Sequence, residues 1–342
     1  MKKKKLCMRY VALVLVFSLI GLSSGCGKQS EETTGNGKTL ETVEIPCLDG
    51  ALCGAPLYVA KEKGFFEEEG IDAKLIAADA ETRKLGLNNG KYPIVNGDFQ
   101  FFQSIEQGVS TKVVDGLHNG CIKILVRPDS GIKEPADLKG KKVGIDEVGG
   151  PPHQVASMWL EQGGVSAQAS DGEITFLPYS DGNLELEALY SGDVDAISIW
   201  DPLASAAEKA GRAKVICDIA SDSIFKGKYC CFLYASTKVL DENPSKVTAM
   251  IRAIHKAEDW INKHPEETVN LVTKGNYSQV EDKELAVQLI KDYVYPTEEE
   301  RKSGERSVEE NVKYFAEQLH NIGYLTEDAE TFTKNAYKKL EN

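Results

Sequence analysis

The tripeptide Trp200-Asp201-Pro202 offers the clearest chemistry in the chain, because it places an indole beside a carboxylate where an apolar segment ends. An indole can stack on a planar ligand or cover a cation, and a carboxylate can accept hydrogen bonds or pair with an ammonium group. The alternative is structural, since tryptophan also packs at strand ends and aspartate before proline is common in turns. The tripeptide predicts a site for a planar, nitrogen-bearing solute or an amine.

Eight cysteines are the second set of reactive side chains. Cys47 and Cys53 lie near each other in the chain and Cys230 and Cys231 are adjacent, so both pairs could offer thiolates to a metal ion. Neither pair has the Cys-x-x-Cys spacing or local histidine that is typical of such sites, and we expect no metal and no cofactor. A Cys47–Cys53 disulfide or two free buried thiols is the favoured interpretation.

The N-terminus has the layout of a secretory signal peptide, in which a basic head precedes an apolar run too short to span a membrane. Cys26 follows three small residues, an arrangement that resembles the lipobox of bacterial lipoproteins, where the cysteine thiol carries a lipid. An ordinary secreted protein with an incidental cysteine is the alternative. We expect residues 1–25 to be removed and residues 26–41 to form a flexible tether. The protein would then be lipid-anchored to the outer face of the cell membrane.

Composition limits the classes of function. The chain has 342 residues, of which 42% are hydrophobic, which is enough for two domains. Its formal charge of −13 argues against binding nucleic acid or an anionic membrane through a basic face. Beyond the predicted signal peptide, the sequence contains no Gly-x-Ser-x-Gly, no His-Glu-x-x-His and no phosphate-binding loop, so these catalytic signatures are missing there.

Apolar segments of strand length alternate with amphipathic segments of helix length, which predicts an α/β protein with mostly parallel sheets. Predicted strands cover 42–48, 72–76, 94–96, 113–117, 122–126, 142–145, 174–177, 196–199, 215–217 and 229–235. Predicted helices include 56–63, 81–87, 99–107, 244–263 and 308–322. Two such series without a flexible linker between them favour one body of two lobes over two independent domains.

Four segments, taken in chain order, resemble the substrate-binding proteins of ABC importers for nitrate, sulfonates, taurine and thiamine precursors. They are GAPLYVAKEKGFFEEEGIDAKL (54–75), DLKGKKVGI (137–145), SGDVDAISIWDP (191–202) and NPSKVTAMIRAIHKAEDWINKHPEE (243–267). The resemblance implies an α/β, type II periplasmic-binding-protein fold, with two α/β lobes, two crossover strands and a ligand cleft between them. We expect the first lobe at 42–126 and 231–342, including the C-terminal helices, and the second at 127–230. The crossings are predicted along 122–127 and 230–236.

In open α/β sheets, ligands bind beyond the carboxyl ends of strands and near helix N-termini. The loop at 49–54 meets this description, and its glycines let backbone amides approach a ligand. Asp98 matches the Gly-Asp that the resemblance implies after the third strand, although aspartate there can instead cap the next helix. The predicted ligand-binding residues are Asp49, Cys53, Gly54, Asp98, Phe99, His118, Gly149, Gly150, His153, Trp200 and Asp201.

The loop at 146–153 aligns with the loop that holds oxoanions in the resembled family, but its composition differs. Pro151 and Pro152 have no N–H donor, and Asp146 and Glu147 stand beside them. A simple oxoanion is therefore less expected here than an organic solute, whether planar and nitrogen-bearing or sulfonate-like. His153 can hydrogen-bond a ligand or simply begin a helix without a further role.

The run Cys230-Cys231-Phe232-Leu233-Tyr234 resembles part of the cysteine cluster of the eukaryotic pyrimidine synthases of thiamine biosynthesis, but it is shorter. On a crossing strand, two cysteines also fit as small buried hydrophobes. We therefore predict a monomeric lipoprotein that is not an enzyme, captures a small solute by lobe closure and delivers it to a permease and an ATPase. The alternatives are an enzyme like those synthases and a cysteine-based metal-binding protein.

Overall fold

The computed structural model describes residues 31–33, 39–47, 52–278 and 280–340. Cys26, Asp49 and the signal peptide lie outside these ranges, and the interpretations given to them stay predictions. Within the described part of the chain, no helix combines the length and apolar character needed to cross a membrane.

The secondary structure alternates strands and helices up to residue 236 and is helical after it. The strands are β1 Glu31–Thr33, β2 Thr39–Cys47, β3 Ile71–Ala77, β4 Ile94–Asp98, β5 Thr111–His118, β6 Ile122–Val126, β7 Lys141–Ile145, β8 Ile174–Pro178, β9 Ala196–Trp200, β10 Lys214–Asp218 and β11 Cys231–Ser236. The helices are α1 Ala55–Glu62, α2 Phe65–Glu68, α3 Ala80–Asn89, α4 Gln100–Glu106, α5 Pro151–Gln162, α6 Gly182–Ser191, α7 Leu203–Lys209, α8 Thr237–Glu242, α9 Pro244–Lys263, α10 Pro265–Lys274, α11 Lys283–Asp292, α12 Glu298–Ser303, α13 Val308–Asn321 and α14 Ala329–Ala336. Short 3₁₀ turns cover Leu52–Gly54 and Pro135–Leu138.

The second lobe is built on a five-stranded sheet in the order β10-β6-β9-β7-β8. β7 pairs in parallel with β8 and β9, whereas β6 runs antiparallel to both of its neighbours. All five residues of β6 are buried because helices cover the sheet. One antiparallel strand is thus inserted into an otherwise parallel sheet.

The first lobe repeats this pattern with two three-stranded ladders, β1-β2-β3 and β4-β11-β5. β2 and β3 are parallel, β2 lies beside β4, and β11 runs antiparallel between β4 and β5. β11 comes directly from the second lobe, just as β6 comes directly from the first. The two lobes are therefore joined by two crossings of the chain.

Both crossings lie earlier in the chain than predicted. Because β6 pairs with β9 and β10, it belongs to the second lobe, and the first crossing is at 119–121 instead of 122–127. The second crossing follows β10 and ends where β11 begins, so it lies at 219–230. The first lobe's initial part accordingly ends near 118 and not at 126. An apolar run indicates a buried strand, but it does not specify the sheet to which that strand belongs.

Helix α9 shows how the helical tail attaches to the first lobe. Pro244 begins the helix, and the Asn243 side chain caps it by accepting from the Lys246 N–H at 3.2 Å. Its buried residues include Val247, Met250, Ile251 and Ile254, spaced along one face that packs on α1 and α2. Further along, α14 packs on α4 and β5, while α13 also contacts α5 of the second lobe.

Candidate functional site

The loops at the carboxyl ends of strands from both lobes meet between the lobes. After β4 and β7, Gln100 Nε2 donates to Glu147 Oε1 at 2.9 Å. After β5 and β9, the Asp201 N–H donates to the Cys121 carbonyl at 3.0 Å. This is the edge at which open α/β sheets bind ligands, and a ligand cleft at this junction stays a prediction.

Trp200 ends β9 and remains partly exposed in this cleft. Its Nε1–H donates to Asp146 Oδ2 at 3.0 Å, which links two of the predicted loops. Burial raises the pKa of Asp146 above its usual value, although the hydrogen bond from Trp200 acts in the opposite direction. Because the indole N–H is already used, the ring face is the part of Trp200 that can contact a solute.

Asp201 is predicted to face the cleft, but its side chain turns away from it. Its Oδ1 accepts from the Ser205 N–H at 2.9 Å at the start of α7, and its Oδ2 lies 3.6 Å from Lys123 Nζ. Its side chain is only 1% exposed, so the carboxylate is an internal ion-pair partner. Lys123 also lies 3.3 Å from Asp218, and these charges outweigh burial and raise the pKa of Lys123. Lys123 is not apparent as a functional residue from the sequence, because it lies within an apolar strand.

Four buried side chains form a compact group where the chain passes between the lobes. They are His118, Cys121, Cys230 and Cys231, whose donor atoms all lie within 4.8 Å of one another. Cys230 Sγ lies 3.4 Å from Cys121 Sγ, 3.9 Å from Cys231 Sγ and 3.9 Å from His118 Nδ1. We call this group the Cys3His cluster.

Both crossings contribute to the Cys3His cluster. His118 ends β5, and a turn at Gly120 with a φ of 93° brings Cys121 back beside it. The Cys230 N–H donates to the His118 carbonyl at 3.1 Å, which places the start of β11 against this turn. The His118 ring stacks on Tyr293 at 5.1 Å and is fully buried.

Comparison with known proteins assigns the chain to a family. Residues 54–268 match the family described as NMT1/THI5 like. The chain belongs to this family. It is 29% identical over 288 residues to an aliphatic sulfonates-binding protein of Bacillus subtilis (strain 168), across 79% of this chain and 78% of that protein.

Solved structures confirm the predicted fold. The periplasmic aliphatic sulphonate binding protein of Escherichia coli has a TM-score of 0.66 at 19% identity, covering 88% of this chain and 94% of that chain. The periplasmic nitrate-binding protein of Synechocystis PCC 6803 has a TM-score of 0.67 at 14% identity, covering 90% of this chain and 87% of that chain. The two-lobe periplasmic-binding-protein fold is thus shared.

The Gly-Asp of this NMT1/THI5-like chain lies at the end of β4. Asp98 accepts from the N–H of Gln100, the first residue of α4, at 2.8 Å, but the N-cap of this helix is Phe99 and not Asp98. Burial raises the pKa of Asp98 to about 6. Asp98 pairs with Cys231 across the ladder, so it borders the Cys3His cluster. Phe99 is fully buried and stacks on Phe315 at 4.9 Å. Its ring is part of the first lobe's core and does not line the cleft.

In this family member, a histidine side chain holds the loop before α5. His153 Nδ1 accepts from the Gly149 N–H at 2.9 Å and lies 2.6 Å from the Tyr324 hydroxyl. Burial lowers the pKa of His153 to about 4, so the ring is neutral and can accept. At Gly150 an added Cβ would lie 2.6 Å from Glu147 Cγ, which explains the small residue there.

The loop before α1 brings a further thiol to the cluster. Cys53 is half-buried and interacts with Cys231 and His118. The hydrogen bond from Cys231 is the main reason that the pKa of Cys53 falls to about 5, with His118 acting in the same direction against burial. Gly54 lies against Tyr58, whose Oη would be 2.7 Å from an added Cβ.

The predicted Cys47–Cys53 disulfide is not present, and the alternative of two free thiols applies. Cys47 is buried and free, and burial raises the pKa of its thiol to about 12. Cys121, Cys217, Cys230 and Cys231 are also free. Among the described residues, the group whose donor atoms lie close enough together to hold a metal ion is the Cys3His cluster, and Cys53 lies next to it.

Proposed function

We propose that this protein is the extracytoplasmic solute-binding component of an ABC importer. It captures a small organic solute between its lobes and, as a monomer, delivers the solute unchanged to a permease and an ATPase. The observation that carries the proposal is the meeting of strand-end loops from both lobes, where Gln100 of the first lobe donates to Glu147 of the second, next to the Trp200–Asp146 hydrogen bond. Support also comes from relatives of the same architecture that are named for binding sulfonates and nitrate.

Capture occurs by closure of the lobes. Gln100 bonds to Glu147, and Gln168 Nε2 donates to the Ile322 carbonyl at 2.7 Å, so contacts from two separate places join the lobes. These contacts exist only when the lobes are together. A solute that touches both lobes binds the closed form better than the open one and shifts the balance towards it. The closed shape is then what the permease recognises.

The chemistry of the cleft favours a planar, nitrogen-bearing solute. Pro151 and Pro152 begin α5 and leave no N–H at these positions for an oxoanion, while Asp146 and Glu147 supply acceptors beside them. A planar solute can stack on the Trp200 ring and donate its N–H groups to these carboxylates. A sulfonate-like organic compound is the second class, in keeping with the relatives' names.

Replacing Trp200 by alanine is expected to weaken solute binding about tenfold or more, because the stacking surface is lost. The solute is first identified by its effect on the melting temperature, using aliphatic sulfonates, nitrate, amines and pyrimidines as probes. Calorimetry with the identified solute then compares the variant with the wild type. The matched control is Trp260→Ala, which removes an indole that packs on His264 and Lys63 in the first lobe.

Unchanged affinity in the Trp200→Ala protein would remove this indole from the site. If no probe raises the melting temperature, the solute-binding proposal itself fails. Mass spectrometry of solute recovered from the complex distinguishes binding from conversion by an enzyme.

The lipid anchor at Cys26 is tested separately. Cys26→Ala is expected to release the protein from the membrane fraction into the soluble fraction, because no other attachment is predicted. Fractionation of cells followed by immunoblotting measures the distribution. Retention of the variant in the membrane fraction would refute the anchor.

A further inference from the structure

The Cys3His cluster has the composition of a metal site and is enclosed on all sides. His118 is fully buried, and Cys121, Cys230 and Cys231 are each exposed by less than 5%. Thiolates and imidazole are the ligands that Zn²⁺ takes in four-coordinate Cys3His sites, whereas Mg²⁺ and Ca²⁺ require oxygen. The donor set therefore selects a thiophilic ion.

The distances within the cluster also suit one ion. Tetrahedral Zn²⁺, with bonds of about 2.3 Å to sulfur, holds its sulfur ligands roughly 3.8 Å apart. Cys230 Sγ lies 3.4 Å from Cys121 Sγ and 3.9 Å from Cys231 Sγ, close to this spacing. His118 Nδ1 lies 3.9 Å from Cys230 Sγ, and the donor atoms of all four residues lie within 4.8 Å of one another.

An independent observation concerns the histidine. His118 Nε2 is buried and has no hydrogen-bond partner in the geometry, and the polar groups beside the ring are thiols, Cys230 at 3.9 Å from Nδ1 and Cys53. Buried polar nitrogens are normally paired, so the ring is poorly satisfied by protein groups alone. Simple packing of small buried hydrophobes would account for the cysteines but not for the histidine among them.

We propose that His118, Cys121, Cys230 and Cys231 bind one Zn²⁺ ion in a tetrahedral Cys3His site at the junction of the two crossings. The site goes beyond the solute-binding role and does not depend on it. Binding converts the three thiols to thiolates and releases the protons they still carry. Since the ligands come from both crossings, the ion ties the two connections between the lobes together at one point.

The test uses the full chain with Cys7→Ala and Cys26→Ala, so that the N-terminal cysteines add neither lipid nor thiols. The reduced protein is titrated with Co²⁺ without oxygen and then with Zn²⁺ as a competitor. We expect one Co²⁺ per chain, with the visible bands of tetrahedral cobalt and a sulfur-to-metal charge-transfer band, and displacement by Zn²⁺. X-ray absorption of the zinc-loaded protein should show three sulfur neighbours and one nitrogen.

Variants locate the site. Cys230→Ala should weaken Zn²⁺ binding about 100-fold or more, at least the loss seen when partners of metal ligands are removed. Cys217→Ala is the matched control, because it removes another buried free thiol in the second lobe and should leave binding unchanged. If Cys230→Ala does not fold, the Co²⁺ spectra and the X-ray absorption of the protein with the unmodified cluster still show whether the metal is bound by three sulfurs and one nitrogen.

Several results would overturn the site. One is that Co²⁺ and Zn²⁺ do not bind stoichiometrically. Another is that X-ray absorption shows only oxygen and nitrogen around the zinc ion. A third is that the Cys230→Ala protein binds Zn²⁺ as tightly as the protein with Cys230. A Cys121–Cys230 disulfide in protein prepared without reductant would also overturn it. No solute is present in these experiments, so their failure and the failure of the solute-binding proposal are distinguishable.

Discussion

Replacing Lys123 by methionine is expected to lower the free energy of unfolding by about 3–5 kcal/mol, the usual cost of removing one partner from a buried ion pair. Lys123 is 8% exposed and pairs with Asp201, which is 1% exposed, and with Asp218. It also donates to Ser205 Oγ at 2.8 Å, so a methionine leaves several polar groups without their partner. Urea unfolding at neutral pH measures the loss.

The matched control for Lys123 is Lys209→Met. Lys209 also pairs with an aspartate, at 2.6 Å from Asp282, but both side chains are more than 40% exposed. Water screens this pair, so its removal should cost much less stability than the removal of Lys123. Equal losses in the two variants would contradict the internal role of Lys123.

A second replacement tests the charge balance. Adding Asp201→Asn to Lys123→Met removes one of the two carboxylates left unpaired, so it should recover part of the lost stability. The same pair holds the loop that carries Trp200, because Asp201 directly follows it. Solute affinity should therefore fall in Lys123→Met even though Lys123 does not face the cleft.

Local patterns predicted the elements of this fold well. Strand β6 and helix α9 have the predicted bounds, since a short apolar run between turns and an amphipathic run after Asn243-Pro244 are both strong signals. The prediction that β6 belongs to the first lobe was wrong. Its partners β9 and β10 lie more than 70 residues further along, and nothing in the strand's own sequence encodes that pairing.

The candidate site was predictable where it depends on strand ends. Trp200 and the loop at 146–153 were both placed at carboxyl ends of strands, and the bond from Trp200 to Asp146 joins them. Side-chain direction was not predictable. Asp201 is next to Trp200 but turns to Lys123, and Phe99 is next to Asp98 but enters the core.

The Cys3His cluster shows the same limit over a longer range. Cys121 and Cys230 are 109 residues apart, so spacing rules for metal sites cannot detect them. His118 and the two adjacent cysteines were visible in the sequence, but only the meeting of both crossings joins them. A search for cysteines and histidines within a few residues of each predicted crossing would have found this group.

Acid is expected to destabilise the protein through His153, whose folded-state pKa of about 4 lies below the ordinary value of 6.5. As the pH falls from 6.5 to 4, the unfolded chain binds a proton at this histidine and the folded chain does not. Stability is therefore lost over this window, by up to about 3 kcal/mol, and no loss from this group occurs above pH 6.5. A protonated ring could also no longer accept at Nδ1 from Gly149 and Tyr324.

His153→Asn isolates this effect, because the variant keeps a polar side chain but does not titrate in the window. Urea unfolding at pH 7 and pH 4.5 should show the wild type losing about 2–3 kcal/mol more than the variant. The same replacement at the exposed His320 is the control and should leave the wild-type profile unchanged. If the free energy of unfolding falls equally between pH 7 and pH 4.5 in the wild type and in His153→Asn, the prediction is contradicted. Tyr324 reaches His153 from the helical tail, so loss of their hydrogen bond in acid also weakens the contact between the lobes. The cleft should then open more readily.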